Sequence, residues 1–271
     1  MVERSQASAL GRANRPRDAA ASMRQVLADQ RLLDTEDTPR VRVALSLLVN
    51  ALLSGGQLAQ AEALAAEAAA LHRRLTGGAN HEGLQLTATR ATISLLQGNA
   101  EAALNYLDAA AALTAVLGDA EAPVAQRTSL RVLALATAGH SAGALQLAES
   151  LLHPPTPPTP TPHPAAWRPA TLVRLHRARA WALRQSGDLA AAQRAAAEAV
   201  FVANSPATGK RCGGLEHGLA LAESARCKLA LGDTEHAVLD LREALAVWAR
   251  TQVDGAEIVG SVQAELQALG G

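Results

Sequence analysis

Residues 187–199 read GDLAAAQRAAAEA. Gly187 supplies the left-handed backbone that stops a helix, and Asp188 directly after it can take the unpaired N–H groups at the start of the next one. Alanines stand five, nine and twelve residues beyond the glycine, at Ala192, Ala196 and Ala199. On a helix those three positions share one face, so this helix turns a stripe of small side chains toward its neighbour. The stretch is therefore the turn and second arm of a helical hairpin.

The same reading holds at four other glycines. Gly56, Gly98, Gly139, Gly187 and Gly232 are separated by 42, 41, 48 and 45 residues. Five residues past each stands Ala61, Ala103, Ala144, Ala192 or Ala237. Nine past are Ala65, Leu107, Ala148, Ala196 and Leu241, and twelve past are Ala68, Ala110, Leu151, Ala199 and Ala244. Seven residues before the glycines come Val49, Ala91, Val132, Ala180 and Ala225. All four offsets hold only small or medium apolar residues. Asn99, Asp188 and Asp233 follow three of the glycines directly, with Ser141 two past Gly139, as capping residues. A hairpin of this kind cannot bury its apolar face alone, so the units stack in series.

Composition agrees. One Phe, one Tyr and three Trp sit in a chain that is 49% hydrophobic, so small side chains must do the packing, which suits helix on helix and not sheet. No stretch alternates with the period of a half-buried strand. Only two Ile and two Lys occur beside abundant Arg, a bias of the kind a GC-rich genome imposes, so Arg richness by itself carries no functional signal. Lys and Arg balance Asp and Glu at a net charge of zero, leaving no long-range field for nucleic acid or an anionic membrane. No apolar run approaches the ~20 residues of a membrane span, and the Arg-rich start lacks the apolar core of a secretion signal. Cys212 and Cys227 match neither a zinc pattern nor a disulfide framework, which fits a reducing cytoplasm.

Along the chain, residues 1–37 are expected to form an N-terminal cap or degenerate leading repeat, with an amphipathic segment from Ala19 to Leu33. Residues 38–152 hold repeats one to three, opened by Thr38-Pro39 as N-cap and first helical position. Residues 153–164, HPPTPPTPTPHP, contain seven prolines and read as an extended polyproline II connector. Its other reading is a ligand for a proline-recognising domain. Residues 165–271 hold repeats four and five and a C-terminal capping helix from Ala256 to Leu269.

The glycine with alanine five residues on resembles the tetratricopeptide repeat, in the long-helix form of kinesin light chains. The linkers Leu75-Thr76-Gly77-Gly78-Ala79-Asn80-His81-Glu82 and Leu117-Gly118-Asp119-Ala120-Glu121-Ala122-Pro123-Val124-Ala125 are similar to that family's loops. The resemblance covers about Thr38 to Leu245. It departs from the family in lacking bulky aromatics, in having Glu82 where proline is expected after His81, and in the Pro-rich insertion. It implies an all-α fold, a right-handed superhelix or α-solenoid of five to six helical hairpins. It further implies a non-catalytic scaffold that binds a polypeptide in its concave groove, as in the C-terminal repeat regions of bacterial multidomain kinases or transcriptional regulators. The alternative is a receptor for a small signalling peptide that controls a partner protein.

In such an array the first helix of each hairpin lines the groove. Arg174, Arg177, Trp181 and Arg184 fall at i, i+3, i+7 and i+10 on one helical face. Three guanidiniums around an indole suit an acidic peptide with an apolar anchor. The same pattern also fits a Trp181 packed between hairpins beside an ordinary solvated Arg face. By the same offsets Ser46, Asn50, Gln85, Thr92, Gln126 and Ser129 line the earlier part of the groove, as partners for a peptide backbone. The sequence offers no nucleophile beside a base, and Gly209 to Gly214, GKRCGG, lacks the order of a phosphate loop. His72, His81, His153 and His163 have no metal-ligand spacing, and no cofactor is expected.

Overall fold

The computed structural model describes residues 15–33, 38–118, 121–153, 168–205 and 212–270, the side chains of residues 121 and 122 excepted. The first fourteen residues, the Pro-rich run beyond His153 and residues 209–211 of the GKRCGG stretch lie outside the described residues. Among the described residues the chain forms twelve helices and no strand. They are α1 (Pro16–Leu33), α2 (Pro39–Ser54), α3 (Leu58–Thr76), α4 (His81–Leu96), α5 (Ala100–Leu117) and α6 (Glu121–Thr137). After them come α7 (Ser141–Leu152), α8 (Pro169–Ser186), α9 (Leu189–Asn204), α10 (Gly214–Ala230), α11 (Thr234–Arg250) and α12 (Ala256–Ala268).

Each of the five repeat glycines lies in the left-handed region, with φ from 76° at Gly56 to 87° at Gly187. The residue after each glycine closes the turn with one recurring bond. Gln57, Asn99, His140, Asp188 and Asp233 donate their backbone N–H to the carbonyls of Leu52, Ser94, Leu135, Leu183 and Lys228, at 2.8–3.1 Å. This is the six-to-one bond of a helix C-terminus that satisfies an otherwise unpaired carbonyl. The second helices are then capped as their sequences demand. Asn99 accepts from Ala102 N at 3.1 Å, Asp188 from Ala191 N at 3.0 Å and Asp233 from His236 N at 3.3 Å. Thr38 and Asn80 cap first helices in the same way, Thr38 ahead of Pro39.

The hairpins are α2–α3, α4–α5, α6–α7, α8–α9 and α10–α11, stacked as an all-α right-handed superhelix, with α1 leading and α12 trailing. Ala61, Ala103, Ala144, Ala192 and Ala237 are all 0% exposed. Of the residues at the other three offsets only Leu151 is half-buried, the rest being buried. First helices also pack on the first helix of the next repeat, most extensively α6 on α8 and α8 on α10.

The two ends of the array meet. The backbone N–H groups of Asp254 and Gly255 both donate to the Gly55 carbonyl at 3.1 Å. Asp254 also takes Arg17 Nη2 at 2.6 Å and Gln57 Nε2 at 3.1 Å, and Gln252 Nε2 donates to Asp18 Oδ2 at 2.9 Å. A Cβ on Gly255 would overlap the Gly56 carbonyl, so this approach of two backbones requires glycine. Leu53 and Leu58 of the first hairpin share an apolar cluster with Leu215, Val253, Ile258 and Val262 of the last elements.

Candidate functional site

The inner surface, built from α2, α4, α6, α8 and α10, divides into two halves with different contents. A cavity of about 650 Å³ opens along the length of α2, against the first half of α4, the start of α6 and Arg168 ahead of α8. Four of the residues expected in the groove come together here: Ser46, Asn50, Gln85 and Gln126. The Ser46 hydroxyl donates to the Arg42 carbonyl at 3.1 Å, leaving its oxygen to accept from a ligand. The side-chain amides of Asn50, Gln85 and Gln126 make no hydrogen bond among the described residues. Leu47, Leu53 and Leu86 supply apolar wall between them. At the mouth, buried Arg42 reaches the Glu82 carboxylate at 2.7 Å, and His81 and Thr89 complete the lining.

Two expected residues lie elsewhere. Thr92 is one turn beyond Thr89, half-buried, with its hydroxyl bound to the Ala88 carbonyl at 3.0 Å. Ser129 is fully buried, bound to the Gln126 carbonyl at 2.7 Å, on the core side of α6.

The arginine-rich face of α8 is engaged within the chain. Arg174 Nη2 pairs with Glu216 Oε1 at 2.5 Å and Arg177 Nη2 with Glu216 Oε2 at 3.7 Å, both guanidiniums being buried. Arg184 Nε donates to Glu223 Oε1 at 3.0 Å, and its guanidinium lies 5.8 Å from the Trp181 ring centre. Glu223 is itself 1% exposed. These pairs belong to a ladder: Arg42 on α2 to Glu82 on α4, Arg174 and Arg184 on α8 to α10, and Arg226 on α10 to Glu265 on α12. Each joins a first helix to the next one in the series. The glutamates stand 40, 42, 39 and 39 residues beyond these arginines, short of the glycine spacing, so the repeat pattern did not mark them.

The two glutamates on α10 respond differently to their burial. Burial raises the Glu216 carboxyl, but the charges of Arg174 and Arg177 and the Arg174 hydrogen bond outweigh it, and the group ends below its ordinary value. Burial pushes Glu223 up, and Arg184 and Arg226 offset only part of that. Burial also pushes the Cys212 and Cys227 thiols up to about 12, so both are protonated at neutral pH.

At the other end of the inner surface, α4, α6, α8, α10 and α12 meet around a smaller cavity of about 180 Å³. Trp181 and Arg177 look into it, with Ile258 and Val262 of α12 on the opposite side. The sequence reading expects a helix from Ala256 to Leu269 capping the end of the array, and the contact of that helix with the inner surface had no signal in the repeat. Among the described residues no helix is long and apolar enough to cross a membrane.

The fold defined by these elements is that of tetratricopeptide-like helical repeats. A putative kinesin light chain of Podosopora anserina, with nearly identical TPR-like repeats, superposes with a TM-score of 0.56 at 17% identity, over 74% of this chain and 93% of that one. BtubC of P. vanneervenii aligns at 16% identity over 85% of this chain and 90% of that one, with a TM-score of 0.47, and the likeness of fold rests on the first of the two. No protein-family model and no curated protein matches the chain.

Proposed function

We propose that this protein is a non-catalytic interaction scaffold that holds a short polypeptide segment in the cavity between α2, α4 and α6. The observation that carries the reading is the convergence of Asn50, Gln85 and Gln126 on one open cavity with their amides unengaged among the described residues. Each amide offers a donor and an acceptor, the pair a peptide backbone needs when it leaves water. Leu47, Leu53 and Leu86 provide area for an apolar side chain. Arg168 and His81 at the rim give an acidic residue of the segment a place to sit. The volume lies in the ~300–1,000 Å³ range of small-ligand sites, which supports a segment of a few residues and also the second reading, a receptor for a small signalling peptide. Placement within a larger bacterial kinase or regulator rests on the family resemblance and is tested by the surrounding reading frame.

The test is affinity capture by the unmodified chain and by a variant carrying Asn50→Trp and Gln85→Leu. Filling the cavity is expected to abolish retention of the bound polypeptide and leave far-UV helicity unchanged. Equal capture by both proteins places the contact elsewhere and overturns the site. Retention of only a short peptide by the unmodified chain transfers the reading to the receptor.

A further inference from the structure

The C-terminal helix α12 behaves in this structure as a ligand of the inner surface. Its apolar side chains Ile258 and Val262, four residues apart, face Leu96 of α4, Leu219 of α10 and the cavity beside Trp181. Three residues beyond Val262, the Glu265 carboxylate receives Arg226 of α10 through two bonds, Nη2 to Oε1 at 2.5 Å and Nε to Oε2 at 3.1 Å. Such a paired grip is specific to a planar carboxylate. The helix is nonetheless held lightly. It buries two of its thirteen residues and packs Val259 and Leu266 half-buried beside them, whereas α10 buries ten of seventeen. The cavity of about 180 Å³ lies under it unfilled by any side chain. Elements with few buried apolar contacts open at lower free energy than the body that carries them.

Contacts ahead of α12 also tie together the surface under it, beside the apolar contacts of Ile258 and Val262. The first and last hairpins are joined by residues 252–255 through Gly55, Asp18, Gln57 and Arg17, all ahead of the helix. Arg226 also lies against a second carboxylate, Glu223 Oε2 at 3.6 Å.

We propose that the face beneath α12 is a docking site for an amphipathic partner helix bearing two aliphatic residues four apart and a carboxylate three residues further on, with α12 as its intramolecular competitor. The partner's aliphatic pair takes the places of Ile258 and Val262, and its carboxylate takes Arg226. This is helix-in-groove recognition, read at i, i+4 and i+7. Because α12 occupies the site in the resting chain, apparent affinity for the partner is reduced by the fraction of molecules with α12 in place. The site is separate from the open cavity, and neither reading requires the other.

The probe is a fluorescein-labelled peptide of residues 254–269, DGAEIVGSVQAELQAL, titrated by anisotropy into the full chain. Ile258→Asp with Val262→Asp, which disfavours the intramolecular helix, is expected to bind the peptide at least about tenfold more tightly than the unmodified chain does. Adding Arg226→Glu to that variant is expected to weaken the peptide at least about tenfold. Equal affinity of variant and unmodified chain, or no binding to either, overturns the proposal. Hydrogen exchange on the unmodified chain gives a readout that needs no variant: amides 256–268 are expected to exchange well before those of α10, and equal protection overturns the proposal. A concentration-dependent dimer of the unmodified chain that exchanges α12 would make the occupant a second copy, and so also overturns the partner-helix assignment.

Discussion

Gly218 on α10 shows how far a single atom is felt in this core. A Cβ there would overlap the indole of Trp248, which is 1% exposed and donates from Nε1 to the Leu215 carbonyl at 3.4 Å. The largest side chain of the core is thus accommodated by the smallest residue on the facing helix. Gly218→Ala is expected to lower stability by about 1–3 kcal/mol, as an overpacked core does, read from the urea midpoint with tryptophan fluorescence as probe. An unchanged midpoint would mean that the indole can move aside. This pairing was invisible in the repeat pattern because Trp248 has no counterpart in the other hairpins. The five alanines were legible for the opposite reason: the same close approach recurs at each hairpin, and recurrence converts a packing constraint into a sequence spacing.

At the level of elements, the α8–α10 contact is where ionic and apolar packing coincide. Glu216 stands below its ordinary value of 4.5, so its contribution is present above that value and is lost as the pH falls through the lower folded one. Glu216→Gln leaves Arg174 and Arg177 buried without their carboxylate, and is expected to cost about 3–5 kcal/mol at neutral pH. It should also flatten the acid limb of stability as the pH falls below the ordinary value of 4.5. Glu223 has the opposite sign: a raised carboxyl favours the folded state at low pH, and its contribution declines as the pH rises through the raised value. Glu223→Gln is therefore expected to destabilise less than Glu216→Gln at neutral pH. Chemical denaturation of both variants from neutral pH down that limb checks the pair, and equal losses would contradict the assignment. The sequence showed the arginine face of α8 and left open whether it met a ligand or solvent. The register between neighbouring hairpins brings Glu216 and Glu223 of α10 opposite that face, and a one-helix pattern cannot contain that register.

For the whole molecule, the joined ends set the shape. Residues 252–255 tie the last hairpin to the first through two backbone bonds to Gly55 and the side chains around Asp254. Individually the exposed pairs contribute little, on the order of 0–1 kcal/mol each. The backbone approach at Gly255 has no room for a side chain, so Gly255→Val combined with Asp254→Ala is expected to part the ends. The radius of gyration from small-angle scattering should rise, with stability lower by about 1–3 kcal/mol and helicity retained. An unchanged radius would show that the helix contacts alone hold the ring. Closure also explains why the inner surface is divided, with a cavity at one end and α12 seated at the other.

The hairpin turns and the buried small residues past them were determined by the sequence alone, because helix termination, capping and small-residue spacing are local and repeat with the chain. The meeting of Asp254 with Arg17, the pairing of the α8 arginines and the seating of α12 were decided only in the tertiary structure. They depend on the small rotation between successive hairpins, which no single hairpin encodes and which accumulates until residues 237 apart in sequence come within hydrogen-bonding distance.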